Sequence, residues 1–134
     1  MKKLLKILSI LLFISIVLCS CSKKDENEPA PIKPDPTLLY GKWTLTNEYT
    51  IVNGITNIED NSYTDIMTLT QQNTITRSDG SSSEYGTYVV SGNMITETID
   101  NESDSVFWKI INGKLYLYAN LMGFESGGIY TKVN

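Results

Sequence analysis

Val106-Phe107-Trp108-Lys109-Ile110-Ile111-Asn112-Gly113-Lys114-Leu115-Tyr116-Leu117-Tyr118-Ala119 contains two extended runs folded about one turn. An Asn-Gly pair supplies the two positive φ values of a type I′ hairpin turn. After it, Leu115, Leu117 and Ala119 fall on one face and Lys114, Tyr116 and Tyr118 on the other, the two-residue period of a half-buried strand. Before it, Val106 to Ile111 is apolar on both faces apart from Lys109, so that strand is expected to be central or covered. A helix needs apolar residues at a 3.6-residue spacing over roughly 11 or more positions, and nothing from residue 37 onward shows it.

The same signals continue in both directions. Asn53-Gly54 and Gly92-Asn93 also sit between alternating runs, and Asp79-Gly80 followed by three serines reads as a longer hairpin loop. Thr, Tyr, Ile and Val dominate the runs, as pleated, half-buried segments require. Strands are predicted at 40–50, 54–59, 63–71, 73–78, 84–91, 94–100, 104–111, 114–120 and 127–133, with 54–59 also readable as loop. Short links between so many strands make an up-and-down meander, and closing it into a barrel removes its two exposed edges. The expected fold class is all-β: a small up-and-down antiparallel β-barrel of about eight strands. Alternation predicts an interior holding Trp43, Leu45, Tyr49, Met67, Leu69, Tyr88, Val90, Leu115 and Leu117. Most acidic residues are expected in turns or on outward positions.

Residues 37–134 form the predicted folded domain of 98 residues, long enough to bury a core. It holds five basic residues, Lys42, Arg77, Lys109, Lys114 and Lys132, against eleven acidic ones, a balance of −6. Such a surface does not suit nucleic acid or anionic lipid. All four prolines precede it, and Pro29, Pro31, Pro34 and Pro36 predict a semi-extended tether over 21–36.

Further upstream, Lys2, Lys3 and Lys6 precede an apolar run that ends in Leu18-Cys19-Ser20-Cys21. This is the order of a secretory signal peptide, here 1–20, and the run is shorter than the ~20 residues that span a bilayer. Leu18 at −3, Ser20 at −1 and Cys21 at +1 resemble the lipobox of bacterial lipoproteins. That resemblance implies cleavage before Cys21 and acylation of its thiol and amine, with palmitate-like chains as the membrane link. Lys24-Asp25-Glu26 resembles the surface-export signal of lipoproteins in Bacteroidetes-type bacteria. It implies a lipid-anchored protein of the outer membrane displayed on the cell surface, with the periplasmic face as the alternative.

Tyr40-Gly41-Lys42-Trp43, at the start of the first strand, resembles the Gly-x-Trp signature of the lipocalin superfamily. Leu39, the central Gly86-x-Tyr88 with its Gly-Asn turn and the closing Tyr130-Thr131-Lys132 extend the similarity to short lipocalin-like lipoproteins of Bacteroidetes-type bacteria. The resemblance implies that Gly41, Trp43 and Lys132 close one end of the barrel, the lysine lying across the indole. It also implies a small ligand in the mouth, with Phe124, Tyr88, Trp108 and Met67 as candidate ligand or lid residues. Phe124 lies in the Gly-rich stretch 122–128, read as a flexible loop. The full-sized family has a helix and longer strands, which this chain lacks, and an eight-stranded interior is narrow enough for side chains alone to fill.

Catalytic chemistry has little to work with. The chain has no histidine, which removes the usual base near neutral pH and every Ser-His or Cys-His pair. Asp100-Asn101-Glu102-Ser103-Asp104-Ser105 alternates oxygen ligands but lacks the glycine and closing glutamate of an EF-hand, so an acidic turn is expected. No enzyme activity, cofactor or metal is expected. Two functions remain, the first as the leading reading and the second as its alternative. One is a surface lipoprotein binding a small apolar or amphipathic ligand or a glycan fragment. The other is a filled barrel that contacts another envelope protein or a host surface, for which Tyr63, Tyr85 and the Gly-rich stretch 122–128 are the candidate exposed contacts.

Overall fold

The computed structural model describes residues 34–134. Cys21, Lys24, Asp25 and Glu26 lie outside the described residues, as does the predicted signal peptide. A 3-10 turn, Pro36–Leu39, opens the domain, capped by the Asp35 carboxylate, which accepts from the Thr37 N–H at 2.9 Å. That bond holds the Asp35 carboxyl below its ordinary value. Nine strands follow: β1 (Gly41–Val52), β2 (Ile55–Asp60), β3 (Ile66–Leu69), β4 (Thr74–Ser78), β5 (Ser83–Ser91), β6 (Met94–Ile99), β7 (Glu102–Ile111), β8 (Lys114–Leu121) and β9 (Phe124–Val133).

The strands from β3 to β9 run up and down in sequence order, every pair antiparallel. β1 closes the ring. One edge of it pairs with β9 from Lys42 to Val52, and Gly41–Thr44 on the other edge pair with β3. Eight strands therefore form the barrel. The ninth, β2, folds back at the Asn53-Gly54 turn onto the upper part of β1 and pairs with nothing else. The 54–59 segment is thus a strand, exposed along its whole length.

Two further expectations are corrected. The stretch 122–128 is not a flexible loop. Met122-Gly123 alone form the turn, and Phe124 is the first residue of β9, paired with Leu121 and Val52. The face of Tyr49 is also reversed. Ladder register shifts between Leu45 and Asn47, leaving Thr46 as a bulge. One extra residue moves every later side chain of the strand to the other face. Trp43 and Leu45 point inward, but Tyr49 points out and Glu48 in.

The core cluster gathers Leu39, Trp43, Leu45, Met67, Leu69, Ile75, Tyr88, Ile95, Trp108, Leu115, Leu117 and Tyr130, all almost fully buried. It fills the end of the barrel at which β1 begins, with Leu39 plugging that end from the 3-10 turn. The described residues form one compact unit that contains this core and every strand pairing.

Candidate functional site

The closed end brings Gly41, Trp43 and Lys132 together. The Trp43 indole is 1% exposed and donates to the Leu39 carbonyl at 2.8 Å. Lys132 lies over its outer face, Nζ 5.2 Å from the ring. Gly41 has φ of 125°, and a Cβ there would stand 2.8 Å from Lys132 Cε, so glycine makes room for the lysine to cross. Met67, Tyr88 and Trp108 belong to the packed core of this same end. Tyr88 donates to the Thr70 carbonyl at 2.7 Å and Trp108 to the Gly92 carbonyl at 3.2 Å. Phe124 lies at the opposite end, so the four candidate ligand residues do not form one site. A half-open groove of about 240 Å³ does border Tyr88, between Pro36, Tyr40, Asn73, Val89 and Val90.

Above the apolar core the interior is polar. Arg77 follows Ile75 by two on β4 and so points inward with it. Its guanidinium grips Glu97 with two bonds, Nη2–Oε1 at 2.6 Å and Nε–Oε2 at 3.1 Å, and reaches Asp65 Oδ2 at 3.1 Å. The Tyr130 hydroxyl accepts from Arg77 at 3.3 Å and donates to Asp65 at 2.6 Å. Burial alone would weaken the charge on Arg77, but Glu97, Tyr130 and Asp65 outweigh it and hold the guanidinium above its ordinary value. Burial likewise pushes the Tyr130 phenol up, and the Asp65 carboxylate adds to this. Closer to the mouth, Tyr63 donates to Glu48 at 2.7 Å and is pushed up to about 12 by burial and that bond. Asp65, Glu97 and Glu48 are therefore inward-facing acids, against the expectation for this chain. The signal that could have found two of them is alternation, since Asp65 stands two residues before Met67 and Glu97 two after Ile95, both core residues.

The mouth itself carries an apolar rim. Counted by twos from Tyr130 and Leu117, Phe124 and Leu121 face the same side as the core. Past the bulge, Val52 joins them, and its hairpin partner Ile55 extends the row across β8, β9, β1 and β2. Val52, Ile55 and Leu121 are exposed, Ile55 at 66%, and Met122 at the turn tip is 100% exposed. Met122 holds φ of 48°, a left-handed conformation filled by Asn53 and Asn112 in the corresponding turns. A side chain without local hydrogen bonds is poorly suited to that position.

A second cluster lies outside the barrel. Tyr49 and Tyr116 meet edge to face at 5.4 Å, and Phe107 packs on Tyr118 at 5.6 Å. Lys109 Nζ sits 4.3 Å from the Tyr118 ring and pairs with Glu125. Tyr49 donates to Glu125 at 2.5 Å. Burial raises the Glu125 carboxyl, yet Lys109 and Tyr49 prevail and hold it low, while burial and Glu125 drive the Tyr49 phenol well above its usual range. Gly127 lies between Tyr49 and Tyr118 in the ladder, where a Cβ would stand 2.0 Å from the Leu117 carbonyl. Tyr85 is widely exposed on β5, and the Asp100–Ser105 run is a hairpin turn and the start of β7.

No family model matches the sequence, and no curated protein is significantly similar to it. Two solved structures resemble the fold. A lipocalin-like protein from Bacteroides uniformis ATCC 8492 is 16% identical with a TM-score of 0.49, over 72% of this chain and 99% of its own. An uncharacterized protein from Bacteroides eggerthii DSM 20697 is 15% identical with a TM-score of 0.48, over 71% of this chain and 99% of its own. The strand pairing itself is a closed antiparallel meander, with a tryptophan near the start of its first strand and a lysine of its last strand across the indole, as the resemblance to lipocalins in the sequence implied.

Proposed function

We propose that this chain is a non-enzymatic, lipid-anchored surface protein of the outer membrane that works by contact. It engages an apolar or amphipathic surface of another envelope or host protein through the rim of Val52, Ile55, Leu121, Met122 and Phe124. The observation that carries this reading is Met122, fully exposed at a backbone position where two corresponding turns of the chain place asparagine. Local rules broken without a packing gain mark functional positions. The filled lower barrel supports contact over enclosure. The chain enters the domain at the Trp43 end, opposite the rim, so an upstream anchor leaves the rim accessible. Acylated Cys21 supplies the anchor, each buried CH₂ contributing ~0.8 kcal/mol, and Lys24-Asp25-Glu26 the address.

A second reading, a small apolar ligand or glycan fragment lying across the mouth, is favoured by the inward aim of Phe124 and Leu121. Both readings use the rim. Protease added to intact cells should shave the parent chain. It should spare a form with Lys24, Asp25 and Glu26 all replaced by alanine, and Cys21→Ser should leave the membrane fraction. Equal shaving of parent and alanine form would remove the surface placement. For the rim, an apolar fluorescent probe should bind residues 34–134 saturably, and Phe124→Ser should weaken it by ~1–3 kcal/mol, the scale of one large apolar side chain.

A further inference from the structure

The outer edge of β2 is an unfinished ladder. β2 pairs with β1 alone, and all six of its residues are exposed, Ile58 at 59%. In a two-residue hairpin the closing pair, here Val52 and Ile55, is hydrogen-bonded, and bonded pairs then alternate. Ile55, Asn57 and Glu59 therefore turn their backbone groups to β1. Thr56, Ile58 and Asp60 turn theirs to solvent, three donors and three acceptors in one row. The Asn61 N–H to Thr46 carbonyl bond at 3.4 Å falls on the same alternation. An edge of this kind is a template for an added strand.

Charge defines what fits it. Glu59 stands directly across the ladder from Glu48, a like-charge pair on one face, which is unfavourable in a sheet. Asp60 meets only the Asn47 amide, at 3.2 Å. The described ion pairs are Arg77 with Asp65 and Glu97, and Lys109 with Glu125, so no cation of the described residues answers Glu48, Glu59 or Asp60. A second copy brings the same acidic strand and the same net charge of −6, and supplies no cation here. We propose that β2 accepts an extended segment of a partner protein in which lysine or arginine alternates with apolar residues. Its backbone completes the row at Thr56, Ile58 and Asp60, its cations lie on the face of Glu59 and Glu48, and its apolar residues lie on the opposite face, over Ile58. This surface is separate from the contact made by Met122 and Phe124 and does not depend on it.

The test uses residues 34–134 and a short blocked peptide alternating lysine with valine. Amide hydrogen exchange should be fast at Thr56, Ile58 and Asp60 in the free domain and slow at least tenfold when the peptide is added, with Asn57 unchanged. A glutamate-valine peptide should give no protection. Ile58→Pro removes a donor that faces solvent and no β1 bond, a placement proline tolerates on an edge strand. It should weaken peptide binding at least tenfold while leaving Trp emission as in the parent. Glu59→Lys, which keeps the backbone row, should weaken it several-fold, and this loss should shrink at high salt. Peptide binding without protection of those three amides overturns the proposal. So does equal protection by the glutamate peptide, full binding by Ile58→Pro, or slow exchange at these amides in the concentrated domain alone, which would mean that the edge takes a second copy. Phe124→Ser should leave peptide binding intact, so loss of the rim function and loss of this one are read separately.

Discussion

With Arg77 replaced by methionine, Asp65 and Glu97 are left facing each other inside the barrel with no cation between them. Breaking a buried pair by removing one partner costs about 3–5 kcal/mol, because the surviving charge stays desolvated. A urea titration of Arg77→Met should show a loss of that order, comparable to Trp43→Ala at ~3–5 kcal/mol. Lys132→Met should cost only ~0.5–1 kcal/mol, since it removes an exposed cation from the indole and keeps most of the stem. If Trp43→Ala melts within a degree or two of the parent, the closing role of that residue is wrong. The phenols give a pH signature. Tyr49 and Tyr130 are both raised above their ordinary 10.0 in the fold. The folded chain keeps protons that the unfolded chain begins to release near that pH, so their stabilisation is whole below pH 10 and is lost as pH rises from there. The urea midpoint should fall steadily above pH 10, and less steeply in Tyr49→Phe, which has no proton to lose.

The elements show where the sequence can be read and where it misleads. Asn112-Gly113 and Asn53-Gly54 announce their hairpins because the turn chemistry is local and each pair adopts the required left-handed backbone. Met122-Gly123 is the same kind of turn with the first residue replaced, and the expected loop over 122–128 follows from that replacement together with Gly127 and Gly128, which read as flexible but lie in the ladder of β9. Met122→Asn should therefore raise stability by ~0.5–1 kcal/mol in thermal melts, while weakening whatever the rim contacts. β1 misleads for another reason. Strict alternation places Tyr49 beside Trp43, and one bulged residue, Thr46, sends it to the outer face. Nothing in Thr44-Leu45-Thr46-Asn47 distinguishes a bulge from continued pleat, because the bulge is a property not of β1 alone but of its pairing with β9. There Gly128 presents no side chain opposite Glu48, and Gly127 leaves space for the Tyr49 and Tyr118 rings. Gly127→Ala should expose this dependence, since its Cβ has nowhere to go without moving the β8 backbone. A loss of ~1–3 kcal/mol is expected, the range for overpacking a closed site. Arg77, Asp65 and Glu97 were within reach of the simple rule, each standing two residues from a core residue, Ile75, Met67 and Ile95, but Glu48 was not, because its facing follows from the bulge at Thr46.

The molecule as a whole is a barrel divided along its length. Trp43, Trp108 and their neighbours fill the end where the chain enters, charged groups around Arg77 occupy the middle, and apolar side chains edge the far mouth. With eight closing strands the interior has room for little beyond its own side chains, so an apolar molecule should meet this protein at the rim. Nuclear magnetic resonance with a spin-labelled apolar probe tests that directly on residues 34–134. Broadening is expected at the amide signals of Val52, Ile55, Leu121, Met122 and Phe124. The indole N–H signals of Trp43 and Trp108, each bonded to a core-end carbonyl, should stay sharp. Broadening of those two indoles with the rim amides unaffected would place the probe inside the closed end and contradict the account.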